Sequence, residues 1–174
     1  TTNSIDIYKP NIENPSAGTW SKGIRGGKKR KNHAMVEWNG KIYSWAGQDE
    51  FGNPLNTLDV YVLNTWDKGP AGGDRRTDHN AAAYNGKMYI WNGFGAGNFN
   101  NDVDVYDLEN GAWLEDFDTP ILQDPKEGAS SCLMTGPINI TTGIYFWGGP
   151  GGDNGQNDNK IKIYNIVENT FVTD

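Results

Sequence analysis

Apolar and polar positions alternate with period two in short runs, and the runs return in the same order along the chain. Leu58, Val60 and Val62 stand against Asp59 and Tyr61, and Val103 and Val105 against Asp104 and Tyr106. Alternation over about four to eight residues puts successive side chains on opposite faces, the signature of a half-buried strand. Four strands per repeat follow. First strands are predicted at 33–38, 79–84 and 130–135, and second strands at 41–46, 87–92 and 143–148. Third strands run through the alternating segments, and fourth strands begin at Trp20, Trp66, Trp113 and Phe171. Helical spacing is scarce, and Gly or Pro interrupts every long window, so no helix is predicted.

The third-strand segment is written four times: Asn3-Ser-Ile-Asp-Ile-Tyr8, Asn56-Thr-Leu-Asp-Val-Tyr61, Asn101-Asp-Val-Asp-Val-Tyr106 and Asn159-Lys-Ile-Lys-Ile-Tyr164. Its tyrosines lie 53, 45 and 58 residues apart, a period that signals stacked supersecondary units. Other landmarks keep step. Asn39-Gly-Lys-Ile-Tyr43 returns as Asn85-Gly-Lys-Met-Tyr89 and, weakened, as Thr142-Gly-Ile-Tyr145. A Trp and a Gly follow each time, at Trp45-Ala-Gly47, Trp91-Asn-Gly93 and Trp147-Gly-Gly149. Arg30 and His33 precede the first Asn-Gly at the same offsets as Arg76 and His79 precede the second.

This order of Arg and His, turn, Tyr, Gly, Tyr and Trp resembles the kelch motif, best over residues 75–115. The resemblance implies an all-β, kelch-type β-propeller of four-stranded antiparallel blades. The Gly doublet is Ala46-Gly47 and Asn92-Gly93 in two copies, and the last copy has Ser131 near the His position and lacks the Asn-Gly-Lys turn. One kelch domain over 1–174 divides into a partial blade at 1–27 and blades at about 28–73, 74–127 and 128–174. That makes fourteen strands, or three and a half blades, where propellers of this kind close with six or seven. The expectation is an arc completed by the remainder of a longer chain, or by further copies in a homo-oligomer, because open blade edges are avoided.

Composition narrows the picture. Gly is 23 of 174 residues, nearly twice the usual share of about 7%, and with 7 Trp, 8 Tyr and 6 Phe it suits short strands and tight turns. A net charge of −7 argues against nucleic-acid binding, which needs a basic face. The local exception, Lys28-Lys-Arg-Lys31, reads as a solvated loop around the kelch-position Arg30, with a nuclear address or phosphate patch as the alternative. The single cysteine, Cys132, excludes an internal disulfide and reads as a buried structural thiol. Nothing in the sequence reads as a signal peptide or a transmembrane run.

Candidate chemistry is sparse. His33 and His79 are the only histidines; the kelch pattern accounts for both, and no third metal ligand is evident. Carboxylate pairs at Asp49 and Glu50, Asp102 and Asp104, Asp116 and Asp118, and Asp153 and Asp158 recur with the repeats, as surface residues do. Residues 151–159 are rich in oxygen ligands, so Asp153, Asn157 and Asp158 are calcium candidates against a plain turn reading. No other cofactor is expected. Phosphate-loop and nucleophile-elbow motifs are absent from the sequence. Trp45, Trp91 and Trp147, identical in repeat position, are expected between blades rather than on a sugar.

In kelch propellers the loops after the second and fourth strands share one face, and that face commonly binds the partner. The resemblance therefore points to ligand contacts by Arg25, Arg30, Phe51, Arg75, Arg76, Phe94 and Phe99. The leading expectation is a non-catalytic protein-binding module without membrane insertion. The alternatives are a carbohydrate-binding or galactose-oxidase-like propeller portion of a secreted protein, and a self-assembling structural repeat protein. The Asn-, Asp-, Gly- and Trp-rich composition looks extracellular, and Asn139-Ile-Thr141 fits a glycosylation triplet; a cytoplasmic location is the alternative.

Overall fold

The computed structural model describes residues 3–115, 120, 128–135, 142–149 and 161–172. Its strands in chain order are β1 (Asp6–Lys9), β2 (Thr19–Lys22), β3 (Ala34–Trp38), β4 (Lys41–Trp45), β5 (Leu58–Val62) and β6 (Thr65–Lys68). They continue as β7 (Asn80–Tyr84), β8 (Lys87–Trp91), β9 (Phe94–Gly95), β10 (Asn98–Phe99), β11 (Asp104–Asp107) and β12 (Ala112–Trp113). The last four are β13 (Ser130–Met134), β14 (Gly143–Trp147), β15 (Ile161–Asn165) and β16 (Thr170–Val172). One 3-10 turn, Pro15–Ala17, is the only helical element among the described residues.

The sheets are three four-stranded antiparallel blades, β3-β4-β5-β6, β7-β8-β11-β12 and β13-β14-β15-β16, preceded by the two-stranded β1-β2. This is the expected plan, with one addition, a small β9-β10 hairpin in the loop between β8 and β11. Strand ends are set by left-handed residues. Asn32 and Asp78 adopt φ of 55° and 56° just before the histidines, so β3 and β7 start after His33 and His79 rather than at them. Ala46 and Asn92 turn to φ of 52° and 62°, ending β4 and β8 at the tryptophans. The Asn39-Gly40 and Asn85-Gly86 turns have positive φ at both residues, the two-residue hairpin geometry that matches strand twist.

Register explains the core. Trp45, Tyr43 and Val36 lie on one face of the first blade. They pack with Met88, Ile90 and Tyr106 from the facing side of the second. The second blade presents Trp91, Tyr89 and Ala82 in the same way to Ile144, Phe146 and Tyr164 of the third. First strands approach one another from β3 to β7 to β13, where the Ala81-Ala82-Ala83 run keeps the inner edge slim.

Among the described residues the same face of the third blade has no such cover. Trp45 and Trp91 are 1% and 2% exposed, whereas Trp147 is 55% exposed. This corrects the expectation that all three tryptophans are core. Cys132 occupies the register position of Val36 and Ala82, opposite Tyr145, and is exposed, not a buried thiol. At the other end of the arc, Trp20 of β2 stacks on Tyr8 and is 71% exposed.

Candidate functional site

The loops that enter the first two blades are built on a repeated staple. Arg30 is buried and gives Nη1 hydrogen bonds to the Ala46 carbonyl at 2.8 Å and the Thr57 carbonyl at 2.9 Å, while Nη2 pairs with the buried Asp59. Asp59 also accepts the Lys28 N–H at 2.7 Å, fixing the loop. In the next blade Arg76, with its side chain 0% exposed, bonds the Asn92 carbonyl at 3.2 Å and pairs with Asp102 at 3.0 Å and Asp104 at 2.5 Å. Asp104 accepts the Asp74 N–H at 3.1 Å. A buried, charge-paired Arg with carbonyl acceptors is a structural clamp. The expectation that Arg30 and Arg76 contact a ligand is thereby corrected: their guanidinium groups point inward and their terminal nitrogens are engaged by carbonyls and carboxylates, leaving only the buried Arg76 Nε without an acceptor among the described residues.

Two glycines before each Arg make the clamp compact. A Cβ at Gly26 would lie 2.2 Å from the Trp66 ring, and one at Gly72 2.3 Å from the Trp113 ring. The same two indoles donate to the Ile24 carbonyl at 3.0 Å and the Pro70 carbonyl at 3.0 Å. The sequence signal was Gly26-Gly27-Lys28-Lys29-Arg30 against Gly72-Gly73-Asp74-Arg75-Arg76, which the landmark reading passed over. The third blade breaks the pattern, because register puts Ala129 where the histidines stand and Lys162 where Asp59 and Asp104 stand.

The histidines serve the scaffold. His79 is buried, accepts the Ala34 N–H at Nε2 over 3.3 Å, and lies edge-on to the Trp45 ring at 5.0 Å. Burial, and then the Arg76 charge, lower its pKa to about 3, so it is a neutral imidazole. His33 is lowered too, by burial and by Arg30. Among the described residues no three His, Cys, Asp or Glu side chains gather as metal ligands would.

Burial raises Asp104 to about 6 despite the opposing pull of Arg76, and Asp102 and Asp74 push the same way as burial. The calcium candidates Asp153, Asn157 and Asp158 lie outside the described residues, as do the Asp116 and Asp118 pair and the Asn139 triplet.

The other predicted contacts divide. Phe94 and Phe99 are half-buried and pack edge-to-face at 5.5 Å across the β9-β10 hairpin, whose tip is Ala96-Gly97. They hold the loop together instead of capping it, which corrects their placement at loop tips. Arg25 and Arg75 are exposed, and Phe51 is 83% exposed. Phe51 stands on a rigid turn: Asp49 accepts the N–H groups of Phe51 and Asn53, each at 2.9 Å, and the Asn53 side-chain amide at 3.1 Å. Paired backbone bonds between Lys31 and Gln48 tie this turn to the basic loop.

Beside the same loop a cavity of about 520 Å³ opens between Lys28, Leu58, Trp66 and Ala71, with Asp67 and Lys68 on its rim. The sequence reading missed it. A second cavity of about 520 Å³ lies at the opposite end of the blades, around Trp38, Lys41, Tyr43 and Glu109.

Comparison with known proteins adds the frame. Residues 75–115 match the family model described as Kelch motif. No curated protein matches the chain by sequence. The solved structure of YjhT is similar, with a TM-score of 0.72 at 14% identity over 91% of this chain and 50% of that one. The chain thus spans half the length of that kelch-type propeller. Among the described residues no helix is long and apolar enough to cross a membrane. The second blade coincides with that motif, and the chain folds as an arc of a kelch-type β-propeller.

Proposed function

We propose that this chain is a non-catalytic kelch binding module that recognises another protein through the face bearing the loops after its second and fourth strands. The observation that carries the reading is how the polar residues are shared out. The groups suited to chemistry, His79, Arg30, Arg76, Asp59 and Asp104, hold the blades together, while Phe51, Arg25 and Arg75 stand out on that face. Kelch domains generally mediate protein interactions, which agrees with it. Aromatic and Arg side chains on preorganised backbone are what protein interfaces use as anchors.

Cross-linking of a captured partner tests the reading. Links are expected at Lys28, Lys29 and Lys31 and not at Lys41 or Lys87 on the opposite end. Changing Phe51, Arg25 and Arg75 together to Ala is expected to lower capture at least about tenfold. Links confined to the opposite end, or capture that survives the triple change, would refute it. Selective binding to a glycan array instead would transfer the proposal to carbohydrate recognition.

A second reading concerns the ends of the arc. The exposed Trp147, Ile161 and Met134 face where a further blade would pack, as Trp91 faces the third. We read them as covered by additional blades, in the same polypeptide or in another copy. Molar mass in solution checks this: a stable 19.2 kDa monomer showing no association would count against it.

A further inference from the structure

We infer that the partner's docking segment is acidic and carries an apolar side chain: the apolar group enters the cavity between Leu58 and Trp66, and the carboxylates meet the Lys28-Lys29-Arg30-Lys31 loop. The inference rests on the loop-face reading above and names the chemistry that this face selects.

Charge is the first observation. The chain is net −7, yet Arg25, Lys28, Lys29 and Lys31 are all exposed within one loop, and among the described residues none of them makes an ion pair. The one cation of the loop that is paired, Arg30, is turned inward onto Asp59. Because Asp59 holds both Arg30 and the Lys28 N–H, the neighbouring lysines are presented by a fixed backbone. The matching loop of the next blade, Asp74-Arg75-Arg76, carries no such excess, since Arg76 is buried and Asp74 balances Arg75.

Place is the second observation. Lys28 lines the cavity whose walls include Leu58, the Trp66 ring and the exposed Ala71. At about 520 Å³ it has room for a Leu or Phe side chain. Lys28 also lies close enough to the Phe51 turn for its charge to act on Asp49, whose carboxyl sits below its usual range through Asn53 hydrogen bonds first and Lys28 last. Backbone bonds between Lys31 and Gln48 join the basic loop to the Phe51 turn, so an apolar hole, a basic lip and a projecting aromatic lie along one surface. Asp59 and Asp67 line the same cavity as Lys28, and Asp49 and Glu50 precede Phe51, so carboxylates adjoin the basic area. A continuous phosphate backbone would run into those carboxylates, whereas a short peptide with a few carboxylates would not. That favours an acidic peptide over nucleic acid.

The test uses the whole 174-residue chain. An immobilised library of dodecapeptides varying Asp, Glu, Leu, Phe, Gly, Ser and Lys is probed, and enriched sequences are measured by fluorescence anisotropy. Enrichment of Asp or Glu adjoining Leu or Phe is expected. Changing Lys28, Lys29 and Lys31 together to Glu is expected to weaken binding at least about tenfold, and the wild-type affinity should fall as salt rises. Ala71→Trp, which fills the cavity from an exposed position, is expected to weaken it at least about tenfold, and Lys41→Glu at the opposite end to leave it unchanged.

Enrichment of neutral peptides whose binding Phe51→Ala weakens would overturn the acidic partner and leave the loop-face reading standing. Binding that no loop-face substitution alters would overturn both. Displacement of the peptide by a uridine dodecanucleotide that also binds alone would overturn the choice of a peptide over nucleic acid. Failure of any acidic and apolar sequence to be enriched over neutral ones would overturn the inference.

Discussion

Acid should act on this protein through two buried groups that oppose each other, and the wild-type profile should conceal both. His79 has its pKa lowered from 6.5 to about 3 by burial and by Arg76. The unfolded chain takes up that proton first, so the stability contributed by the neutral ring is full above about pH 6.5 and is lost as pH falls toward 3. At ~1.4 kcal/mol per pH unit the whole window amounts to ~5 kcal/mol, comparable with the total stability of a small domain. Asp104 runs the other way. Its pKa is raised from 3.8 to about 6, so its contribution is full below 3.8 and is lost as pH rises through 6, ~3 kcal/mol in all. Between about pH 6 and 4 the two slopes nearly cancel, and below 4 only the His79 loss continues.

Urea unfolding followed by Trp fluorescence at pH 7, 6, 5 and 4 tests this. The wild type should change little until about pH 4. His79→Gln, whose amide oxygen can still accept the Ala34 N–H, should gain stability on going from pH 6 to 4. Asp104→Asn should lose it over the same range. Comparing slopes removes the baseline cost of each substitution and the exposed carboxylates common to all three proteins. A His79→Gln slope equal to that of the wild type would refute the buried neutral imidazole.

Three further perturbations follow from the packing. Arg76→Leu removes the cation paired with Asp102 and Asp104 and should cost about 3–5 kcal/mol in urea unfolding at pH 7, with Asp104→Asn in the same background recovering part of it. Trp91→Ala should cost about 3–5 kcal/mol and Trp147→Ala, at the same repeat position on the uncovered blade, about 0.5 or less, which parallel melts of the two variants would show. Gly93→Ala puts a Cβ 2.7 Å from the Thr77 carbonyl oxygen at φ +91° and should destabilise by more than about 1 kcal/mol, whereas Gly97→Ala meets nothing within 4 Å and suffers only its positive φ; the difference in their urea midpoints is the readout.

The strands were legible because each residue's face follows from period-two alternation, and the Asn-Gly turns because both φ values must be positive. The direction of a long side chain was not. Arg25, Arg30, Arg75 and Arg76 look alike in sequence, yet two are buried and two exposed; what separates them is the ion pair across the sheet, Arg30 with Asp59 and Arg76 with Asp104, visible only once β5 and β11 are in register with their neighbours. Repeat identity also misled at the edge of the arc. Trp147 and Cys132 occupy core positions of their blade, but burial belongs to a pair of blades, and among the described residues none packs on that face. Phe94 and Phe99 looked like separate loop tips because the hairpin that joins them is only two residues per strand.

The loops entering the first two blades carry two independent kinds of information. The Arg, with the Asp across the sheet, is fixed by the need to clamp the blade, and Gly26 and Gly72 are fixed by the indoles lying against them. The side chains between face solvent outside the clamp, although Asp74 accepts the Asn100 side-chain amide at 3.2 Å and its charge acts on Asp104. In the first blade they are Lys28 and Lys29, with Lys31 just beyond the Arg; in the second they are Asp74 and Arg75. Their side chains make none of the clamp's bonds, so each of these two blades can set the chemistry of its sector of the loop face on an unchanged clamp. A recognition surface built this way is asymmetric even though its scaffold repeats. Substituting Asp74 by Lys should therefore leave the urea midpoint within about 0.5 kcal/mol of the wild type while extending the basic surface into the second blade. If Asp74→Lys instead destabilised the chain by several kcal/mol, clamp and surface would be coupled, and the charge of this face would reflect folding requirements, not recognition.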